Sequence, residues 1–245
     1  MSNKLIVLKI GTNTLFDDAE INYEMLNTLA NSIKKYRKQN INFAIVTSGA
    51  VQSGANELNL SERPKNLKEL QVASAVGQVS LINTYKEIFK KQDINIAQIL
   101  ISKNVLEDRN QFINTTEALN GLISKNILPV INENDVVATE ELKFGDNDRL
   151  SAIVSIILKA DKLVLITDKE GLYDSDPEIS EEAKKIEDIG MGILHEEKEG
   201  ISHLTAKIKD IIINKKYIDW NKNKHSNHIS AANDMVKHIE GYLNK

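Results

Sequence analysis

A chain of 245 residues can bury one large α/β core, and its 41% hydrophobic and 27% charged content is ordinary for a globular protein. A net charge of −4 argues against a chain-wide nucleic-acid surface, and the lack of cysteine excludes disulfides, iron–sulfur clusters and thiolate chemistry. The apolar run after Lys4 is too short for a signal peptide or membrane span, so a cytoplasmic protein without membrane partners is expected.

The first predicted strand is Leu5–Ile10, and it carries Lys9 inside an otherwise apolar run. A buried lysine is costly unless it meets an anion, and Gly11 and Thr12 just beyond it suit a close backbone approach and a hydroxyl contact. The alternative is an edge-strand lysine reaching water. An amphipathic stretch around Tyr23–Gln39 leads to a second strand, Asn42–Val46. That strand ends in Thr47-Ser-Gly-Ala50, which reads as a strand-to-helix turn with Ser48 as N-cap, an arrangement compatible with anion binding. It is not a Gly-x-Ser-x-Gly nucleophile elbow.

A helix over Asn66–Lys90, a strand at Ile94–Leu100, a helix over Asn114–Asn126 and a strand at Leu128–Ile131 follow. The last of these ends in Asn132-Glu-Asn-Asp135, and Gly145-Asp-Asn-Asp148 opens the next helix, Asp148–Lys159. A short hairpin at Val136–Phe144 is expected to cover the pocket between these two acidic-amide clusters. The fifth strand, Leu163–Ile166, ends in Thr167-Asp-Lys-Glu-Gly171. The strands show little polar alternation, as when both faces of a parallel sheet are buried, and their succession with helices predicts a doubly wound α/β fold.

Ligands of open parallel sheets bind beyond the carboxyl ends of the strands, so polar residues at four such ends converge on one site. Three prolines and 11 glycines leave no room for a linker, and one domain is expected. The five histidines, at 195, 203, 225, 228 and 238, show no metal-ligand spacing, and Asn214–Lys224 reads as a solvated basic face.

Taken in order, Lys9-Ile-Gly-Thr12, Val46-Thr-Ser-Gly-Ala50, Ala75-Val-Gly-Gln78, Glu107-Asp-Arg109, Pro129–Asp135, Gly145–Asp148 and Leu165-Ile-Thr-Asp168 closely resemble the amino acid kinase family, in particular its glutamate 5-kinase branch. The resemblance implies a three-layer α/β/α sandwich with a mainly parallel central sheet. Residues to about 160 would bind substrate and those from about 161 to 245 the nucleotide, with no PUA domain. It implies transfer of the ATP γ-phosphoryl group to the side-chain carboxylate of L-glutamate, giving γ-glutamyl phosphate, the first step of proline biosynthesis. By resemblance, Ser48, Asp135 and Asn147 bind glutamate. Lys9 bridges the transferring phosphoryl group, Asp148 orients the catalytic lysines, and Gly11, Thr167 and Asp168 belong to the nucleotide site. Mg²⁺ accompanies ATP mainly through phosphates and water, so no residue is assigned as a metal ligand. A homodimer or tetramer, proline as feedback inhibitor and hand-over to a glutamyl phosphate reductase are further implied.

The pattern departs from the family late in the chain. Where a glycine-rich phosphate loop is expected, this sequence has Gly200-Ile-Ser-His-Leu-Thr-Ala-Lys207. Gly200 and the transition-state lysine, Lys207, fall into place, while Ser202 and His203 replace glycines. The alternatives are a kinase of the same fold acting on another acid or phosphate, or a catalytically weak relative that binds glutamate or proline and regulates a partner.

Overall fold

The apolar runs form strands and the amphipathic stretches form helices, in the order the sequence predicts. The computed structural model describes residues 4–106, 108–137 and 147–166, all of which belong to one unit, Met1–Asp168. In chain order the elements are β1 (Lys4–Ile10), α1 (Thr12–Leu15), β2 (Phe16–Asp17), β3 (Glu20–Ile21), α2 (Tyr23–Arg37), β4 (Ile41–Thr47) and α3 (Ala50–Glu57). They continue with α4 (Leu67–Lys90), β5 (Ile96–Ile101), α5 (Arg109–Ser124), β6 (Leu128–Glu133), α6 (Asn147–Ile157) and β7 (Lys162–Ile166).

Five strands pair in parallel in the order β5-β6-β4-β1-β7. The register runs from Lys4↔Ile41 to Ile10↔Thr47 between β1 and β4, and from Ile6↔Lys162 to Ile10↔Ile166 between β1 and β7. From β1 the chain steps to β4 and β5 in one direction, then returns through β6 to β7. Right-handed crossovers place the connecting helices on opposite faces for opposite directions of travel. Hence α2 and α4 cover one face while α5 and α6 cover the other.

Alternation along the strands fills both layers. Val7, Ala44, Val46 and Ile131 pack with Leu119 of α5 and with Leu150, Ile153, Val154 and Ile157 of α6. Ile6, Leu8, Ile10, Phe43 and Ile45 are buried on the opposite face, which α2 and α4 cover with Leu26, Leu29, Ile33, Leu81, Tyr85 and Phe89. This is the expected α/β/α sandwich, with an all-parallel sheet among the described residues.

The same parity assigns two polar side chains. Lys9 shares a face with Val7 and meets α6, whereas Thr47 shares one with Phe43 and Ile45 and meets α4. There Thr47 Oγ1 lies 2.9 Å from Tyr85 Oη in a fully buried pair, and burial pushes the Tyr85 phenol above its ordinary pKa. Tyr85→Phe removes that bond but leaves Thr47 donating to the Ser48 carbonyl at 3.2 Å. The expected loss is about 1 kcal/mol, read as a Tm fall of roughly 2–4 °C by calorimetry.

Several boundaries differ from the sequence reading. β6 extends to Glu133, so the acidic-amide cluster begins inside the strand. α5 starts at Arg109 rather than Asn114 because Asp108 caps it, accepting from the N–H groups of Asn110 and Gln111 at 2.8 and 3.0 Å. The β2–β3 hairpin was unforeseen; Asp18 and Ala19 at its tip both adopt positive φ. Of the expected hairpin at Val136–Phe144, residues 138–146 lie outside the described residues, while Asp135–Val137 form a 3-10 turn.

Candidate active site

The strand ends of β1, β4 and β6 converge as the parallel-sheet rule predicts. β1 lies between β4 and β7, which rules out the edge-strand reading of Lys9. The Lys9 ammonium makes a 2.6 Å ion pair with Asp148 Oδ1 in the first turn of α6, the lysine side chain being 10% and the aspartate 59% exposed. A carboxylate at a helix start is favoured by the helix dipole, and Asp148 thereby holds the ammonium at the sheet edge. Gly11 follows with an extended φ of −71°, a conformation open to any residue. A Cβ there would sit 3.6 Å from Lys9 Nζ and 3.5 Å from the Ile166 carbonyl.

Ser48 is not the N-cap of α3. That place belongs to Gly49, whose φ of +95° disfavours any side chain and whose Cβ would lie 2.5 Å from the Phe16 ring. The first turn of α3 therefore has no side-chain cap. The Ser48 hydroxyl instead receives Asn147 Nδ2 at 3.2 Å.

Asn147 ties the strand ends together. Its amide also donates to the Thr47 carbonyl at 2.6 Å and to Asn132 Oδ1 at 2.8 Å, and Asn132 Oδ1 accepts the Glu133 N–H as well. With Nδ2 so committed, Oδ1 of this 3%-exposed side chain has no partner among the described residues. Asp135 is buried, and Ser74 Oγ of α4 donates to its Oδ2 at 2.5 Å.

Ser48, Asp135 and Asn147 line one pocket, together with Thr12, the first turn of α3, Arg63 and Asn132. Its lining residues include the acceptors Asn132 and Asp135, the cationic residue Arg63 and the uncapped first turn of α3. Such a set suits a small ligand carrying both charges. The structure thus brings together Ser48, Asp135 and Asn147 in the pocket, and Lys9 with Gly11 and Asp148 at the neighbouring strand end. Thr167, Asp168 and Lys207 lie outside the described residues. The sequence reading placed Asn132 in the acidic-amide cluster without a role of its own, and it missed Ser74 and Arg63. Ser74 had a signal: it is a hydroxyl on the face of α4 that the apolar pattern marks as inward.

The sequence profile of the amino acid kinase family matches residues 4–215. The chain is 43% identical over 197 residues to a glutamate 5-kinase of Prochlorococcus marinus (strain MIT 9301), covering 80% of this chain and 55% of that protein. It is 42% identical over 187 residues to a glutamate 5-kinase of Haemophilus influenzae (strain PittGG), covering 76% and 51% respectively. The chain thus spans about half the length of the curated relatives it matches. Crystal structures of isopentenyl phosphate kinase share the fold, with a TM-score of 0.50 at 15% identity over 87% of this chain and 88% of that one. With its motifs at the ends of β1, β4 and β6 and a profile match from residue 4 to 215, the chain belongs to the amino acid kinase family.

Proposed function

We propose that the protein transfers the γ-phosphoryl group of ATP to the side-chain carboxylate of L-glutamate, the activity of the relatives it matches. The observation that carries this reading is the pocket in which Ser48, Asp135 and Asn147 meet, beside the Lys9–Asp148 pair. Asp135 and Asn147 Oδ1, which has no partner among the described residues, are acceptors for an α-ammonium group. The reacting carboxylate is ionised at neutral pH, with a reference pKa of about 4.3, so the transfer needs no general base. One carboxylate oxygen bonds to the γ-phosphorus as the bond to the β-phosphate oxygen breaks, giving γ-glutamyl phosphate and ADP.

The barrier is repulsion between a carboxylate and a polyphosphate, and cations with fixed N–H donors lower it. Lys9 is the described cation placed for that work, and Asp148 holds it without burying a lone charge. Thr167, Asp168 and Lys207 are proposed for the nucleotide. Among the described residues no three of His, Asp and Glu converge on a metal site. A divalent ion accompanying ATP would be held chiefly by the triphosphate and water, the habit of Mg²⁺.

The test is ADP formation with Mg²⁺ and hydroxylamine trapping of the acyl phosphate, comparing L-glutamate, L-aspartate and N-acetylglutamate. Glutamate-dependent hydroxamate is expected, with little from N-acetylglutamate, which has no ammonium for Asp135. Asp135→Asn is expected to raise KM for glutamate about 10–100-fold, the size of a lost hydrogen bond between charged groups. Equal use of glutamate and N-acetylglutamate would sink the assignment of Asp135.

A further inference from the structure

Arg63 lines the same pocket and has no role in the chemistry above. It lies between α3 and α4, and among the described residues it makes no ion pair or hydrogen bond, although two other surface cations, Lys34 and Lys65, find carboxylates. Its side chain is exposed, but the backbone that carries it is held on both sides. Leu58 and Leu60 donate N–H bonds at 2.9 Å to the carbonyls of Gly54 and Ala55. On the other side Pro64 is buried, and Asn66 caps α4 by accepting the Glu69 N–H at 2.9 Å. Pro64 fixes its own φ and confines Arg63 to extended backbone, so the side chain leaves the backbone in a preset direction.

Arg63 and Asp135 thus line one pocket without closing on each other, since no ion pair joins Arg63 to any described carboxylate. Such a separated pair matches the two charges of an amino acid. We infer that Arg63 receives the α-carboxylate of the substrate, opposite Asp135 at the α-ammonium, and that it determines specificity for a free α-carboxylate. The inference rests on the proposed glutamate reading. The alternative target, the reacting carboxylate, fits poorly: a guanidinium bound to it would withdraw the electron density that must attack phosphorus. A planar fork of donors suits the non-reacting carboxylate, which needs only to be held.

The test uses the full chain in the hydroxamate assay with L-glutamate and with its α-amide, isoglutamine, which keeps the ammonium and side-chain carboxylate but has a neutral amide in place of the α-carboxylate. The wild type is expected to favour glutamate by about 10–100-fold in kcat/KM. Arg63→Gln should raise KM for glutamate by that factor, with kcat nearly unchanged and isoglutamine unaffected, so that discrimination collapses. Arg63→Lys should restore part of it, and Tm should not move. An unchanged glutamate KM in Arg63→Gln, or an equal loss with both substrates, overturns the assignment. Calorimetric binding of glutamate separates this from the reaction: wild-type binding that Arg63→Gln weakens, without any hydroxamate, supports Arg63 and sinks the kinase reading. Absence of glutamate binding by the wild type overturns both.

Discussion

Lys9→Met is expected to lower glutamate-dependent ADP formation by about 10²–10³-fold, the cost of removing one preorganised donor to developing charge. Its Tm should hold or rise. Methionine has similar length, stays apolar in the middle of the sheet and ends the desolvation of an ammonium. Asp148, left without its partner, is 59% exposed and keeps its hydration. Activity and stability should therefore separate, which a purely structural lysine would not allow. The check is kcat by coupled ADP assay beside a calorimetric Tm. A turnover within about threefold of wild type, against the loss expected of a reacting-site donor, would show that Lys9 serves only to hold α6.

Gly77→Ala should do the reverse, damaging the fold first and the site through it. α3 and α4 cross with their backbones in contact. A Cβ on Gly77 would strike the Ala50 carbonyl and the Gly54 nitrogen, and one on Gly54 would strike the Ala73 carbonyl. These are backbone atoms, which cannot swing aside as a side-chain end would. The expected cost is about 1–3 kcal/mol, a Tm fall of roughly 2–12 °C. Because Ala50 belongs to the first turn of α3 and lines the pocket, KM for glutamate should rise as α3 is pushed outward. Gly121 in the last turn of α5 is the control, with no atom within 4 Å of its Cβ position. Gly121→Ala should stabilise by up to about 1 kcal/mol through helix propensity alone. Equal Tm values for the two variants would show that the α3–α4 contact is not tight.

The Val-Gly-Gln motif around Gly77 was visible in the sequence only as a family resemblance, and its physical meaning appears in the helix crossing. Ser48 shows the same division. Its place after a buried strand was legible, but cap and binding roles use the same hydroxyl, and only the φ of Gly49 assigns the cap to the glycine.

The sequence by itself determined the order of strands and helices, their parallel arrangement and the edge at which polar residues gather. These follow from hydrophobic period, strand length and the chirality of crossovers, all of which are local or nearly so. Tertiary structure decided which of those polar residues meet. Asn147 reaches Thr47 and Ser48 across about a hundred residues of chain, and Ser74 reaches Asp135 from a helix whose inward face reads as plain core. Arg63 enters the pocket from a connecting segment with no periodicity to read. Such contacts depend on how helices sit on the sheet, and no spacing along the chain encodes them.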